Sequence, residues 1–346
     1  MNVALLSTPR LARWLAPLFL AVAGLTQAAE PPAAAAKTPV VPNSECMDCH
    51  EAEFKPRKKG EQPVWIGVRP EVFAKSVHGK LNCVDCHADI KETPHESKLA
   101  PAQCASCHDK ETKQYATSIH SVSHQMGGTD AASCASCHGT HDMVPVKQLD
   151  SPVFKLNLAK TCGTCHDDPK LTKEYRMGQS KAAGHYLDSI HGRALLKMGL
   201  VVAPSCNDCH GVHDIKRSID KESHTNHANV ARTCGTCHLG IEETYNLSVH
   251  GQLLAKGDKK GPVCVDCHSA HDIEKPATAH FKALSDQSCG KCHEDRLEHY
   301  RDTYHGKAMA LGRPNVASDV AACYDCHGHH DVFKVSDARS RLSKEK

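Results

Sequence analysis

The chain has 346 residues, among them 20 Cys and 27 His but only 6 Phe, 7 Tyr and 2 Trp. Side chains of this kind make a poor core, so another group must supply buried apolar volume. The cysteine content excludes a reducing cytosol unless the thiols are committed to metals or cofactors. A formal net charge of +2 provides no broad basic field, which argues against a nucleic-acid partner.

The amino terminus predicts export. Residues 1–28 contain Arg10 and Arg13, an apolar run from Trp14 to Leu25 and small residues at a cleavage point, which is typical of a secretory signal peptide. The run is shorter than the roughly 20 residues of a membrane-spanning helix, so we expect no transmembrane anchor in the mature chain and a periplasmic or extracellular location. Residues 29–43 form an Ala- and Pro-rich linker, and residues 335–346 a loose polar tail.

Every cysteine belongs to a C-x-x-C-H motif, here called an attachment motif. Two thiols at this spacing can bond to the two vinyl groups of one porphyrin, and the following imidazole then takes one axial position on the iron. A disulfide framework would not require the histidine, and zinc ribbons need two Cys pairs per metal and no fifth residue. We therefore predict ten covalently attached haem c groups, which also supply the missing apolar volume. The attachment cysteines are Cys46, Cys49, Cys83, Cys86, Cys104, Cys107, Cys134, Cys137, Cys162, Cys165, Cys206, Cys209, Cys234, Cys237, Cys264, Cys267, Cys289, Cys292, Cys323 and Cys326. The motif histidines are His50, His87, His108, His138, His166, His210, His238, His268, His293 and His327.

Two further patterns account for most of the remaining histidines. The S/T-x-H pattern, with an aromatic residue five positions before the histidine, contains His78, His120, His191, His250 and His305. The C-H-x-x-H-D pattern contains His141, His213, His271 and His330. The Cys83 motif lacks this second pattern because Ile90 replaces the histidine, and His95 is the nearest substitute. Together these supply ten candidates for the sixth ligand of ten irons, so we predict bis-histidine coordination throughout.

The C-H-x-x-H-D spacing has a geometric consequence. Its first histidine already binds the haem of its own motif, and the second, three residues later, cannot reach the opposite face of that porphyrin. We therefore expect His213, for example, to bind a neighbouring haem rather than the haem of Cys206 and Cys209. The Asp of this pattern and the Ser or Thr of the other would either orient the imidazoles or serve as turn and cap residues.

The motifs recur as five units with two haems each, a tandem repeat. The units are numbered 1 to 5 and span residues 44–100, 101–158, 159–231, 232–286 and 287–334. Long strands with alternating hydrophobicity are absent from the pattern. We expect a mainly α fold of short helices with much irregular coil, wrapped around the haems.

The whole mature chain resembles the multihaem c-type cytochromes of respiratory bacteria, and by haem count the decahaem cytochromes. The resemblance implies low-spin, low-potential haems and electron transfer in respiration, with anaerobic respiration as the expected kind. The implied partners are a quinol-oxidising membrane complex, a terminal reductase or an outer-membrane conduit.

Two alternatives remain open at this point. A multihaem reductase acting on a nitrogen or sulfur oxyanion would need one open iron, for which the irregular Cys83 motif is the first candidate. A subunit of an extracellular cytochrome filament is also compatible with the tandem repeat.

Overall fold

Short helices joined by turns and coil make up the structure, a computed structural model that describes residues 41–51, 54–55, 64–65, 67–96, 99–311 and 319–345. The longest helix in these ranges has 12 residues, and none there is long and apolar enough to cross a membrane. One antiparallel pair, β1 (Phe54–Lys55) and β2 (Val64–Trp65), is also present. The mainly α fold with irregular coil is confirmed. The predicted signal peptide and residues 29–40 of the linker lie outside the described residues.

The helices repeat with the units. Unit 1 contains α1 (Asn43–His50), α2 (Pro70–Phe73) and α3 (Cys83–Cys86), and unit 2 contains α4 (Asp109–Ala116), α5 (Ile119–Gln125) and α6 (Cys134–His138). The next helices are α7 (Leu158–His166), α8 (Pro169–Glu174), α9 (Ala182–Asp188), α10 (Ile190–Leu196) and α11 (Cys206–His210). They are followed by α12 (Val230–Gly235), α13 (Leu239–Leu247), α14 (Val249–Ala255), α15 (Cys264–His268), α16 (Ala279–Gly290), α17 (Glu294–Asp302), α18 (Tyr304–Leu311) and α19 (Cys323–His327).

Three unit boundaries drawn from the sequence fall inside helices. Helices α7, α12 and α16 cross the boundaries at 158/159, 231/232 and 286/287. In each case the helix starts upstream of the first attachment motif of the unit, and the motif begins before that helix ends. The structural units therefore start a few residues earlier than the motif spacing indicates.

The second attachment motif of each unit forms its own short helix that begins at the first cysteine. The residue before the second cysteine reaches back to the backbone N–H that precedes the helix. Asp208 accepts from the N–H of Ser205 at 2.7 Å, and Asp266 accepts from that of Val263 at 2.7 Å. This caps one of the otherwise unpaired N–H groups of the first turn. Gly139, Gly211 and Gly328 then end three of these helices with φ near +86°, +84° and +88°, a conformation that favours glycine.

In units 2 to 5 the S/T-x-H pattern is a helix start, whereas in unit 1 it lies in a turn. Ser118, Ser189 and Ser248 are buried N-cap residues whose hydroxyls accept the N–H three residues later. This places each histidine in the first turn of its helix, next to the cap. The glycine that follows in four units is required by close packing, since a Cβ at Gly251 would lie 2.2 Å from the Tyr245 carbonyl oxygen.

The protein core is small. The buried apolar residues in the described chain belong to units 3 to 5, and most are alanines. Leu195 is the largest fully buried apolar side chain, and it packs with Ala194 and Ala203. The side chains therefore supply little buried apolar volume, as the composition indicates.

Turn segments connect several units. After the C-H-x-x-H-D pattern, backbone hydrogen bonds recur every three residues across 145–157 and 217–229. The same arrangement continues across 334–343, in the tail that we expected to be loose. There Arg339 lies 4.3 Å from the Phe333 ring centroid, and Arg341 pairs with Asp331 at 3.3 Å. The tail is thus an ordered turn segment of the same kind as the connections between units.

Candidate functional site

The first cysteines of the two attachment motifs lie together in each unit. Their thiols lie close enough for one to shift the pKa of the other. The contact with Cys162 lowers the pKa of the Cys206 thiol to about 7, and the contact with Cys289 lowers that of Cys323 to about 7. The five contacts are Cys46–Cys83, Cys104–Cys134, Cys162–Cys206, Cys234–Cys264 and Cys289–Cys323.

The second motif of each unit also neighbours the first motif of the next unit. The charge of Cys165 raises the pKa of the Cys137 thiol, after the larger effect of burial. Cys86 is influenced in the same way by Cys104 and Cys107, Cys209 by Cys237, and Cys267 by Cys292. The ten attachment motifs therefore follow one another in space in the order of the sequence.

Nine motif histidines each face one predicted distal histidine. The ring centroids of a pair lie 5.8 to 6.4 Å apart. The pairs are His50–His95 (5.8 Å), His78–His108 (6.0 Å), His87–His141 (6.3 Å), His120–His166 (6.2 Å), His138–His213 (6.2 Å), His191–His238 (6.2 Å), His210–His271 (5.8 Å), His250–His293 (6.4 Å) and His268–His330 (6.0 Å).

This spacing fits an iron between the two rings. A metal–imidazole bond is about 2 Å long. The centroid of the imidazole ring lies about 1 Å further from the metal than the bound nitrogen, a distance shorter than a covalent bond of the ring. Two imidazoles on opposite sides of one metal ion therefore have centroids about 6 Å apart. With two attachment cysteines beside each motif histidine, the residues present match the donor set of a covalently bound bis-histidine haem.

The pairs cross unit boundaries in a regular way. An S/T-x-H histidine faces the first motif histidine of the following unit, as His191 in unit 3 faces His238 in unit 4. A C-H-x-x-H-D histidine faces the second motif histidine of the preceding unit, as His271 in unit 4 faces His210 in unit 3. Neighbouring units thus exchange two histidines at each junction, one in each direction.

A repeated backbone hydrogen bond supports this exchange. In units 1 to 4, the residue before the S/T-x-H histidine donates its N–H to the carbonyl two residues after the C-H-x-x-H-D histidine of the next unit. Ile190 donates to Ile273 at 2.8 Å, and Val249 donates to Val332 at 2.9 Å. Val77–Met143 and Ile119–Ile215 form the same bond at 2.8 Å. The two exchanged histidines are therefore held beside one another at the backbone.

His95 faces the first motif histidine of its own unit, His50. Its ring lies nearly parallel to that of His50, at an interplanar angle of 7°. Thr93 holds the loop before it against α1 by donating its hydroxyl to the Glu45 carboxylate at 2.8 Å. The histidine of the irregular Cys83 motif, His87, instead faces His141 of unit 2.

The structure does not bring His305 and His327 into a pair of this kind. Both residues are exposed. The His305 ring lies 6.0 Å from that of Tyr304, its neighbour in the sequence. The ligand roles of these two residues stay a prediction.

Burial keeps many of the paired rings neutral, which is the form that binds metals. Burial, followed by the neighbouring His271, lowers the pKa of His210 to about 4. Burial is also the first cause that lowers the pKa of His120, His138, His141, His166, His191, His250, His268, His271 and His330.

The polar residues next to the distal histidines are cap and turn residues. The serines cap helices, as described above, and Asp142 accepts the backbone N–H of Thr140 at 3.2 Å. An imidazole partner comes instead from Gln179, whose amide oxygen accepts from Nδ1–H of His271. This contact leaves the other ring nitrogen for a metal. The sequence carries no signal for Gln179, because the two residues lie 92 positions apart.

In units 2 to 5 a tyrosine links the helix that precedes the S/T-x-H histidine to the second attachment motif of the same unit. The Tyr186 hydroxyl donates to the Pro204 carbonyl at 2.8 Å, two residues before Cys206, and Tyr245 donates to Pro262 at 2.9 Å. Tyr115 and Tyr300 make the same bond to Ala132 and Ala321. In these four units the aromatic position of the S/T-x-H pattern is therefore a clamp between two elements that we predict to hold consecutive haems, whereas Phe73 of unit 1 has no hydroxyl to form it.

Comparison with known proteins identifies one family. Residues 56–166, about a third of the chain, match the class III cytochrome c family. The matched segment contains the four attachment motifs from Cys83 to Cys162. No curated protein and no solved structure matches the chain. The family match supports a multihaem c-type cytochrome, and with it covalently bound haem c, redox partners and electron transfer.

Proposed function

We propose that the chain is an exported decahaem c-type cytochrome that carries electrons in respiration. It would connect a membrane or periplasmic donor with a terminal or outer-membrane acceptor. Haem iron supplies the one-electron chemistry. The residues of the chain attach each haem through two cysteines, provide both axial imidazoles and set the spacing between neighbours.

The nine histidine pairs carry this proposal. Each joins a motif histidine to a histidine proposed from the sequence as a distal ligand, eight of them from two independent patterns and one as the substitute His95, at the spacing that two axial ligands of one iron require. A carrier needs coordinatively saturated irons, because its metal exchanges electrons and not ligands. The proposal assigns His305 and His327 to the tenth iron, since they complete the ten motif histidines and ten distal histidines.

The order of the attachment motifs supports a single path. Cysteine contacts within units alternate with cysteine neighbours between units from Cys46 to Cys323. Haems attached in this order would form one unbranched file whose neighbours are also neighbours in the sequence. Electrons would then enter at one end and leave at the other, and every intermediate haem would be needed.

Intact-mass spectrometry and electron paramagnetic resonance test the proposal together. We expect the purified protein to exceed its polypeptide mass by ten haems, to show no titratable thiol, and to give low-spin ferric signals alone. Carbon monoxide should leave the reduced spectrum unchanged. A smaller haem number would contradict the decahaem assignment, and a high-spin signal near one-tenth of the total haem would indicate an open iron.

A further inference from the structure

One loop has the same length in units 2, 3 and 4 but a different surface in unit 3. It starts at a glycine with positive φ, Gly127, Gly199 or Gly257, and reaches the second attachment motif seven residues later in each case. The three residues after the glycine form its tip. They are Gly-Thr-Asp at 128–130 in unit 2, Leu-Val-Val at 200–202 in unit 3 and Asp-Lys-Lys at 258–260 in unit 4.

The tip of unit 3 is exposed as well as apolar. Met198, Leu200, Val201 and Val202 are 74, 51, 68 and 72 % exposed. We call these four residues, one before the glycine and three after it, the apolar tip. At the three positions after the glycine, units 2 and 4 hold glycine, polar or charged residues beside attachment motifs of the same kind, so packing against a haem does not require apolar side chains there. Met198 has an exposed counterpart in unit 2, Met126, so the feature that distinguishes unit 3 is the exposed Leu200, Val201 and Val202.

The loop that carries the apolar tip is held firmly. Backbone hydrogen bonds join Met198 to Arg193 at 3.0 Å, Leu200 to Ala194 at 2.9 Å and Ala203 to Leu200 at 2.9 Å. Beneath it, Leu195 is only 2 % exposed. Since these bonds fix the loop backbone on both sides of the tip, the loop cannot fold inward without breaking them. The four side chains therefore stay exposed at the surface.

Positive charge accompanies the tip. Lys197 directly precedes Met198 and is exposed, as is Arg193 one turn earlier. Unit 3 is the unit in which basic residues outnumber acidic ones, ten to eight. Apolar side chains flanked by Lys and Arg match the interface of a bilayer, where acyl chains lie beneath phosphate groups.

The size of the tip argues against a second copy of the chain as its partner. Four side chains at these exposures offer on the order of 400 Å². A stable interface buries about 800 Å² on each partner. A patch of this size suits shallow and reversible insertion, in which the surrounding lipids cover the whole convex loop.

We propose that the apolar tip anchors the protein reversibly to a phospholipid surface. Met198, Leu200, Val201 and Val202 would enter the headgroup region, and Lys197 would contact lipid phosphate. This would hold the middle of the array at a membrane, close to a membrane-bound redox partner, without a transmembrane helix. The proposal concerns location only and does not depend on the number of haems.

Vesicle co-sedimentation of the haem-loaded protein tests the proposal. Vesicles of phosphatidylethanolamine with phosphatidylglycerol are the probe, and vesicles of phosphatidylcholine alone measure the contribution of lipid charge. We expect the wild-type protein to bind the mixed vesicles. A variant with Leu200→Gly, Val201→Thr and Val202→Asp should bind at least about tenfold more weakly, because three apolar side chains are lost. This variant carries the tip that unit 2 already uses, so the fold should tolerate it.

The matched control places the same tip in unit 4, by Asp258→Gly, Lys259→Thr and Lys260→Asp. It should retain vesicle binding, and both variants should keep the haem content and visible spectrum of the wild type. Absence of wild-type binding, or equal binding by the unit 3 variant, would overturn the proposal. Self-association of the wild type without lipid that the unit 3 variant abolishes would also overturn it and identify a second copy as the partner.

Discussion

The histidines of the C-H-x-x-H-D pattern face motif histidines of the preceding unit and not of their own. His213 follows His210 by three residues, yet its ring faces that of His138, in the preceding unit. The same displacement applies to His141, His271 and His330. A substitution at one of these positions should therefore be detected at a haem that is distant in sequence but adjacent in space.

Replacement of His213 by Ala tests this displacement. We expect one-tenth of the haem to become high-spin and to bind added imidazole, because one iron loses its sixth ligand. A structure with imidazole bound should place it on the haem of Cys134 and Cys137. His227→Ala, in the same unit, serves as the control and should leave all haems low-spin. Opening of the Cys206 haem would refute the exchange between units.

At the scale of helices, the S/T-x-H pattern depends on close backbone contact. The buried Ser248 caps α14, and Gly251 allows the start of α14 to approach the end of α13. The cap places His250 in the first turn of α14, and the tyrosine clamp fixes the end of α13, just before that turn, against the next attachment motif. The glycine and the tyrosine therefore position a predicted ligand without touching the metal.

Gly251→Ala should destabilise the protein, because its Cβ would lie 2.2 Å from the Tyr245 carbonyl oxygen. We expect a loss of about 2–4 kcal/mol, typical of overpacking at backbone, measured as a lower denaturation midpoint in guanidinium. Gly240→Ala is the matched control, since a Cβ there meets nothing within 4 Å inside α13. It should raise stability by about 0.5–1 kcal/mol. Equal midpoints for the two variants would contradict the packing argument.

The tyrosine clamps predict a loss of stability in alkaline solution. Burial, followed by nearby thiols, raises the pKa of Tyr186, Tyr245 and Tyr300 to about 12, from an ordinary value near 10. A group whose pKa is raised by folding contributes stability below its unfolded pKa and loses that contribution as the pH rises through the folded value. The denaturation midpoint should therefore fall between about pH 10 and pH 12.

Tyr245→Phe is the test of one clamp. It removes the hydrogen bond to Pro262 and should cost about 1 kcal/mol at neutral pH. Its stability should then depend less on pH above about 10 than that of the wild type. An unchanged alkaline profile would show that the hydroxyl does not contribute. Exposed Tyr304→Phe is the control and should alter neither value, as that residue is 82 % exposed.

In the part of the chain that the structure describes, contacts between neighbouring units hold the units together more than a core of buried side chains does. Exchanged histidines and one backbone hydrogen bond occur at each of the four junctions, whereas buried apolar residues are few. If the predicted haems bind, each junction gains two iron–imidazole bonds, and every unit is completed by its neighbours. Repeat proteins owe stability to such interfaces between adjacent units.

Charge is the second property of the whole molecule. The formal charge of +2 falls to about zero once the predicted signal peptide removes Arg10 and Arg13. Ten haems with ionised propionates would bring this to about −10 when oxidised and about −20 when reduced. We expect the reduced protein to elute later from an anion exchanger than the oxidised protein at the same pH. Identical elution would contradict either the haem number or the ionisation of the propionates.

The local chemistry of this protein is determined by short sequence patterns. C-x-x-C-H places two thiols and an imidazole within one turn, so the attachment sites require no tertiary information. The S/T-x-H and C-H-x-x-H-D patterns likewise identify candidate ligands, and the low content of aromatic residues already indicates a small core. All of these depend on residues within a few positions of one another.

The tertiary structure decides which histidine meets which. The sequence offers His95 as a substitute for the missing histidine of the Cys83 motif, but its ring faces His50, because Thr93 ties the loop to Glu45 in α1. The sequence predicts that a C-H-x-x-H-D histidine binds a neighbouring haem, but it does not place the partner histidine in the preceding unit. The contact of Gln179 with His271 and the ordered turns of the tail are not predicted from the sequence at all. Each depends on segments that are distant along the chain, and their approach is set by the packing of whole units rather than by local spacing.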